Sequence, residues 1–490
     1  MREASSVLRR GFLEAMNTRQ IVIIGGGCSG TLLAAQMLRQ AREAVQIVLI
    51  ERTPPVGRGV AYRTRYEGHL LNVPADRMSA WPNDPSHFLR WARSNGKRVD
   101  YAKPVNSGDY LPRYVYSTYL ATVLEEARAA AIPEASLGVL SREAIDLEEI
   151  GEGARITLSD GSTIIAASVV LALGNLPGEY PIRRPLPFFH SRRYVHIPWA
   201  TNALEGLDES DDILLVGAGL TAIDIILQYR ANGHKGVVHA LSRHGLRPQA
   251  HKEGLQQIAS SLPVDSLPTT VRDAFTAVRR AVRRARERGL DWRSVVDSIR
   301  PVSQQLWQGF SVEERARFMR HVRPFWEAHR HRLAPECAAI VAELEAAGRL
   351  KFHAGRLTSL RDLADGAAAV IKIRGKEDFM ALRVAKVINC TGPRTDYSKY
   401  QHPLLINLLA AGLITHDPLA LGISALSTGE VLRYNQKPAK WLYTIGAPLK
   451  GVLWESTAVP EIRIQACNLA TRMLALETSK NDRPVPASAA

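Results

Sequence analysis

Two glycine-rich turns, each following an apolar run, are the stretches whose residue types and spacing can do chemistry. The first, Gly25-Gly26-Gly27-Cys28-Ser29-Gly30, follows Ile21-Val22-Ile23-Ile24. The second, Gly217-Ala218-Gly219-Leu220-Thr221-Ala222, follows Ile213-Leu214-Leu215-Val216. A pyrophosphate needs close backbone approach and several N–H donors, which glycines at a strand-to-helix turn supply. In the first turn Gly25 allows the bend, Gly27 lets the backbone reach phosphate, and Gly30 lets helix and strand pack closely. The positive end of the following helix then faces the anion. Glu51 ends the next apolar run, about twenty residues on, where an acid accepts both hydroxyls of an adenosine ribose. FAD or NAD suits such a site, with Gly25, Gly27, Cys28, Ser29, Gly30, Glu51 and Arg52 as its contacts.

The second turn carries Ala222 where the first has its last glycine, and its next strand ends at Ser242-Arg243 rather than at an acid. An arginine there pairs with a 2′-phosphate and a serine hydrogen-bonds it. Gly217, Gly219, Leu220, Thr221, Ser242 and Arg243 therefore favour NADPH over NADH. The competing reading is a domain that keeps the fold and has lost the nicotinamide. Two such sites in one chain place two dinucleotides face to face, the arrangement of flavin chemistry driven by a nicotinamide.

The elements that must position these turns follow from the pattern. Strand, glycine turn, helix (Thr31 to Ala44) and strand (Gln46 to Ile50) open the chain, and a second such unit runs from Asp212 to Leu241. From Pro54 to about Leu120 the composition is turn-rich and aromatic, as in loops that wrap a ligand. A helix is expected from Tyr114 to Ala131, strands around Ala154 to Leu158, and the apolar run Ala167 to Leu173 ends at Gly174-Asn175. Helical periodicity between about Gly254 and Ala347 predicts an insertion, with Trp292, Val295, Val296 and Ile299 on one face. The run Val384 to Ile388 reads as the return to the first domain, and a helix from Pro460 to about Leu476 closes it.

The expected fold class is α/β, two Rossmann-like dinucleotide-binding domains with a helical insertion in the second. The FAD domain takes residues 19–205 and 385–478, the NAD(P) domain 206–253 and 348–384, and the insertion 254–347. Residues 1–18 read as a disordered leader and 479–490 as a tail.

The chain has 490 residues, enough for several sizeable cores. No apolar run is long enough to span a bilayer, and the first nineteen residues lack a secretory signal. Four scattered cysteines argue against a disulfide framework, a zinc site or a redox dithiol, and so for the cytoplasm. Lysine plus arginine, 63, exceeds aspartate plus glutamate, 48, for a formal charge of +15. The densest run, Arg279 to Arg288, reads as a solvated helix face; with no nucleic-acid motif beside it, no nucleic-acid partner is expected. Oligomeric state is not legible.

With these residues in view, the chain resembles the bacterial FAD/NAD(P)-binding protein family. The matching blocks include Gly59-Val60-Ala61-Tyr62, Leu111-Pro112-Arg113, Pro198-Trp199, Gly219-Leu220-Thr221-Ala222-Ile223-Asp224 and Trp454-Glu455-Ser456-Thr457-Ala458-Val459-Pro460-Glu461. Ala172-Leu173-Gly174-Asn175 and Asn389-Cys390-Thr391-Gly392 are similar to the two crossover motifs of two-dinucleotide-domain flavoproteins. Leu442 to Gly446 resembles their last flavin-contacting strand, although Ala447 stands where that class usually has an aspartate. The resemblance implies Gly174, Gly392, Gly446 and Thr457 as further FAD contacts, with a helix N-terminus at the flavin N1–C2 edge. More distantly the chain is similar to flavin-dependent monooxygenases, and His190-Ser191-Arg192-Arg193-Tyr194 echoes the end of their fingerprint; an interdomain loop is the plain alternative.

The function this implies is an FAD-dependent NAD(P)H oxidoreductase acting on a small molecule. The favoured form is a monooxygenase, in which NADPH reduces FAD and a C4a-peroxyflavin delivers oxygen. The alternatives are a reductase or dehydrogenase without oxygen insertion and a non-catalytic flavin or nucleotide sensor. Asn72, Met78, Ser79 and Trp81 are the candidate flavin-ring contacts. The block His321, Arg323, His329, Arg330, His331 and Arg332, around Phe325 and Trp326, reads either as a site for an acidic ligand or as arginines bridging the insertion. A metal reading is weak, since no carboxylate cluster accompanies those histidines.

Overall fold

A computed structural model describes residues 19–101, 103–200 and 202–481. The expected leader and residues 482–490 of the expected tail lie outside that set. In chain order the first seven strands are β1 (Gln20–Ile24), β2 (Val45–Ile50), β3 (Ala135–Leu140), β4 (Ala144–Ile150), β5 (Gly153–Leu158), β6 (Thr163–Ala166) and β7 (Ser168–Leu171). Next are β8 (Tyr194–Val195), β9 (Ile213–Val216), β10 (Val238–Ser242), β11 (Leu350–Leu363), β12 (Gly366–Ile373), β13 (Phe379–Val384) and β14 (Lys386–Asn389). β15 (Glu430–Leu432) and β16 (Pro438–Thr444) close the series.

The first sheet has the order β15-β16-β7-β1-β2-β3, and its β16-β7-β1-β2-β3 part is parallel. Strands covered on both faces need apolar residues at every position, and Ile21, Val22 and Ile23 are fully buried. Ile21 and Ile23 face one core with the helices Cys28–Gln40, Arg113–Ala129 and Val459–Asn481. Val22 and Ile24 face another, closed by the antiparallel β4-β5-β6 meander and the helix Pro403–Ala410. The first helix begins at Cys28 and ends at Gln40, earlier at both ends than expected, because Gly27 already serves as its N-cap.

The second sheet has the order β13-β12-β11-β10-β9-β14-β8. It corrects two expected boundaries. β14 does not return the chain to the first unit; it pairs in parallel with β9, and β8 pairs in turn with β14. Both are short apolar strands that complete the second sheet, so the chain changes unit only after Gly392. The helix Pro335–Ala346, expected inside the insertion, instead buries Cys337, Val341 and Leu344 against the helix Leu220–Ala231. It is the crossover into β11, and the insertion is correspondingly shorter. The last helix runs to Asn481, beyond the expected Leu476.

The insertion places the helices Val271–Glu287, Trp292–Ile299, Ser303–Gly309, Val312–His321 and Arg323–Arg330 between β10 and that crossover. Val295 and Ile299 are buried and Trp292 is half-buried, as their spacing predicts. No described helix is long and apolar enough to cross a membrane.

Candidate functional site

The first turn has the geometry its glycines predict. Gly25 sits at φ +111°, and a Cβ there would lie 2.4 Å from the Ala172 carbonyl oxygen. A Cβ on Gly30 would lie 1.9 Å from the Gly25 carbonyl oxygen. The Gly26 N–H donates to Glu51 Oε2 at 2.8 Å, and the Thr53 N–H donates to Oε1 at 2.8 Å. Glu51 is thereby aimed at the turn, and each oxygen keeps a lone pair. The second turn repeats the cradle: Gly217 sits at φ +124°, with the Cys390 carbonyl oxygen 2.0 Å from where a Cβ would be.

A cavity of about 400 Å³ joins the two turns. Of the residues singled out by sequence, it is lined by Gly25, Gly27, Glu51, Arg52, Gly174 and Gly392 from the first group and Thr221 from the second. Gly174 and Gly392 take positive φ, +64° and +88°, a conformation that favours glycine. Around Glu51 the lining includes Arg52, Glu143 and His402, where Arg52 and His402 each bond Glu143 Oε1 at 2.9 Å. Those hydrogen bonds, His402 first, hold the Glu143 carboxyl below its ordinary range against the opposing effect of burial.

The wall between the units holds residues that sequence reasoning quoted without a role. Arg113 and Trp199 line the cavity, with the Arg113 guanidinium 5.4 Å from the Trp199 ring centroid. Arg113 also reaches Asp224 on the second fingerprint helix, with Nη1–Oδ2 at 2.8 Å and Nη2–Oδ1 at 3.2 Å. Burial raises the Asp224 pKa, opposed by Arg113. His69 joins them, with Nε2 3.0 Å from the Asp224 carbonyl oxygen and Nδ1 2.7 Å from the Thr64 hydroxyl. Only the fold brings the arginine that opens the helix Arg113–Ala129 to the aspartate at 224 on another helix.

Other expected contacts lie outside this cavity. Met78, Ser79 and Trp81 are 2%, 0% and 6% exposed and belong to the first unit's interior, with Arg39 stacked 4.3 Å over Trp81. The Ser79 hydroxyl is spent on the Asp84 carbonyl, and the Asn72 carbonyl oxygen lies 3.1 Å from His251 Nε2. Met78 and Trp81 pack in the first unit's core beside Phe88, Trp91 and Tyr119, and none of the four lines this cavity. Cys28, Ser29 and Gly30 start the first helix beneath the turn, and Gly219 and Leu220 start the second. A Cβ on Gly446 would lie 2.4 Å from Ser29 Oγ, so β16 closes directly over that helix start. Thr457 is exposed, whereas its neighbour Ser456 is fully buried with a hydroxyl that has no partner among the described residues. Arg243 is exposed and forms no ion pair among the described residues; Arg247 pairs with Glu345. Ser191 and Arg193, from the monooxygenase-like echo, bond Asp362 on β11.

The cationic block is consumed by ion pairs: Arg323 with Glu327 at 2.8 Å, Arg330 with Glu455 at 3.5 Å, and Arg332 with Asp297. Trp326 donates its indole N–H to Glu455 Oε1 at 3.1 Å. Burial pushes the Glu455 carboxyl upward, but Arg330 and His331 overcome it and keep the pKa below the usual range. The insertion is thus fastened to Trp454-Glu455-Ser456, where Trp454 sits at φ +47° and stacks on Trp307 at 4.8 Å. This is the bridging alternative.

Residues 22–176 match the model of a family described as FAD-NAD(P)-binding. Across the whole chain the fold is that of known structures. An ornithine N-hydroxylase of Kutzneria superposes with a TM-score of 0.65 at 14% identity, covering 94% of this chain and 100% of that one. This chain has the fold of a two-dinucleotide-domain flavoprotein. The ornithine hydroxylase PvdA of Pseudomonas aeruginosa gives 0.63 at 15% identity, covering 94% and 99%. The cadaverine monooxygenase DfoA of Erwinia amylovora gives 0.58 at 16% identity, covering 96% and 97%. A search of curated proteins finds no match. On this flavoprotein fold the cavity lies where both dinucleotide units meet, the usual place for ligands of such sheets.

Proposed function

We propose that the chain is an FAD- and NADPH-dependent monooxygenase that places one oxygen atom on a small molecule. The observation that carries this reading is the single cavity bounded by Gly25, Gly27 and Glu51 of one fingerprint unit and by Thr221 of the other. The fit to FAD rests on the glycine turn, where a Cβ at Gly25 or Gly30 would strike backbone carbonyls while Gly25 and Gly27 line the cavity, and on Glu51 beside it. Bound FAD would supply the redox chemistry, taking hydride from the nicotinamide and passing electrons to oxygen.

The chain's own residues bind, orient and shield. The helix starting at Cys28 would offer its free N–H groups to the pyrophosphate, and Glu51 would accept the ribose hydroxyls. On the second unit, the turn at Gly217 would admit the NADPH pyrophosphate and Arg243 would pair with its 2′-phosphate. Trp307 and Trp326 cover the 454–456 segment and exclude water. A dithiol route has no support: the described cysteines are all free, and burial pushes the Cys28 and Cys337 thiols up to about 12. The likeness to amine-hydroxylating enzymes makes a primary amine the first substrate class to test.

The test is a purified protein carrying visible flavin absorbance, bleached by NADPH without air and reoxidised in air with candidate amines. Oxygenated product in proportion to NADPH consumed supports the proposal. Hydrogen peroxide in that proportion, with no product from any amine, replaces it with the reductase reading. Flavin that NADPH never bleaches replaces it with the sensor reading.

A further inference from the structure

The helix Val271–Glu287 of the insertion divides cleanly into two faces. Its inner face is apolar: Val271 and Ala274 pack in a small core with Trp307 and Phe310, and Ala277 and Val278 pack on another with Ile299 and Val302. Its outer face is arginine. Arg272, Arg279, Arg280, Arg283, Arg284 and Arg286 are all exposed, and none forms a side-chain ion pair among the described residues. The acids of the helix are Asp273, which accepts from the Thr270 hydroxyl at 2.7 Å, and Glu287.

With about 3.6 residues per turn, Arg272, Arg279, Arg283 and Arg286 share an arc of about 60°, a straight row about 21 Å long. Phe275 lies beside this row, 45% exposed, its ring 5.8 Å from the Arg279 guanidinium. Folding does not account for the pattern. Like charges four apart, such as Arg279–Arg283 and Arg280–Arg284, weaken a helix, and an anionic surface laid against them reverses that effect. A row on a convex helix offers no cleft for a small anion. The helix also lacks any asparagine or glutamine that could read bases. Four to eight basic side chains on an amphipathic helix are what anionic lipid attracts, and an exposed aromatic among them suits the headgroup region.

We propose that the insertion docks on the surface of a bilayer containing anionic phospholipid. The helix Val271–Glu287 lies flat there, its arginines against lipid phosphates and Phe275 among the headgroups. None of these side chains lines the cavity between the two glycine turns, so the inference is independent of the flavin reading.

The experiment is flotation of the full-length protein with vesicles of phosphatidylcholine alone and of phosphatidylcholine mixed equally with phosphatidylglycerol. The protein should float with the mixed vesicles, fall away as salt is raised, and stay behind with the neutral ones. One basic side chain at such a surface is worth about fivefold in partition, so Arg279→Gln/Arg283→Gln should weaken flotation about tenfold or more. Phe275→Ala should weaken it by a smaller factor. Lys97→Gln/Arg98→Gln, an equal loss of charge at exposed positions of the first unit, should float like the parent. The substituted side chains are all exposed, and circular dichroism checks that each variant keeps its fold. The proposal is overturned if mixed and neutral vesicles carry the protein alike, if the two double variants lose flotation equally, if Phe275→Ala floats like the parent, or if a DNA duplex at the same ionic strength strips the parent from the mixed vesicles.

Discussion

The guanidinium of Arg113, on the first unit's helix Arg113–Ala129, lies 2.8 Å from the carboxylate of Asp224 on the second unit's fingerprint helix. Both side chains are buried, at 13% and 6% exposure. Removing one partner of such a pair strands the other charge out of water, at a cost of about 3–5 kcal/mol. Arg113→Met and Asp224→Leu should each lower unfolding free energy in urea by an amount of that order. The double variant should lose clearly less than the sum of the two. Additive losses would mean that the pair does not couple the units.

The two cradles are separable by substitution. Gly25→Ala puts a methyl group 2.4 Å from the Ala172 carbonyl oxygen, and Gly217→Ala puts one 2.0 Å from that of Cys390. The first variant should purify with little or no flavin. The second should keep its flavin absorbance and lose bleaching by NADPH. Reversed outcomes would exchange the assignments of the two turns.

Arg243 is exposed and free of ion pairs among the described residues, as a residue awaiting a phosphate would be. Hydrogen bonds to charged groups are worth about 1.5–3 kcal/mol. Arg243→Ala should therefore raise the KM for NADPH roughly tenfold or more and leave that for NADH unchanged. Equal losses would remove the 2′-phosphate contact.

His251 lies in the connection between β10 and the insertion, and burial first, then Arg332, pushes its pKa down to about 4. The ordinary histidine value is 6.5. Between the two, the unfolded chain carries a proton that the folded chain refuses, so stability rises with pH across that window. Lowering the pH from 7 to 4.5 should lower Tm more in the parent than in His251→Gln. Identical pH profiles would show that His251 does not titrate this way.

Much of the fold was legible because its determinants are local. Gly25, Gly30 and Gly217 occupy positions where a β-carbon would strike a backbone carbonyl, so the residue type itself reports the turn. Ile21 to Ile24 and Ile213 to Val216 are apolar at every position because each strand is covered on both faces. Glu51 follows from strand length alone, since it must end beside the turn.

What the tertiary structure decided involves residues distant in sequence. Met78, Ser79 and Trp81 carry polar and aromatic groups suited either to a flavin ring or to a core, and the loop buries all three in the first unit. No local signal distinguishes those two fates. β14 has the same apolar pattern as a strand of either sheet, and only its pairing with β9 assigns it. Arg113 and Asp224, 111 positions apart, become partners because the helix Arg113–Ala129 of one unit meets the fingerprint helix of the other, and Glu461 meets Arg300 because the insertion folds back on the last helix. Local sequence sets backbone conformation and apolar faces through short-range sterics and solvation, whereas which charges share a buried place depends on how those faces close over one another.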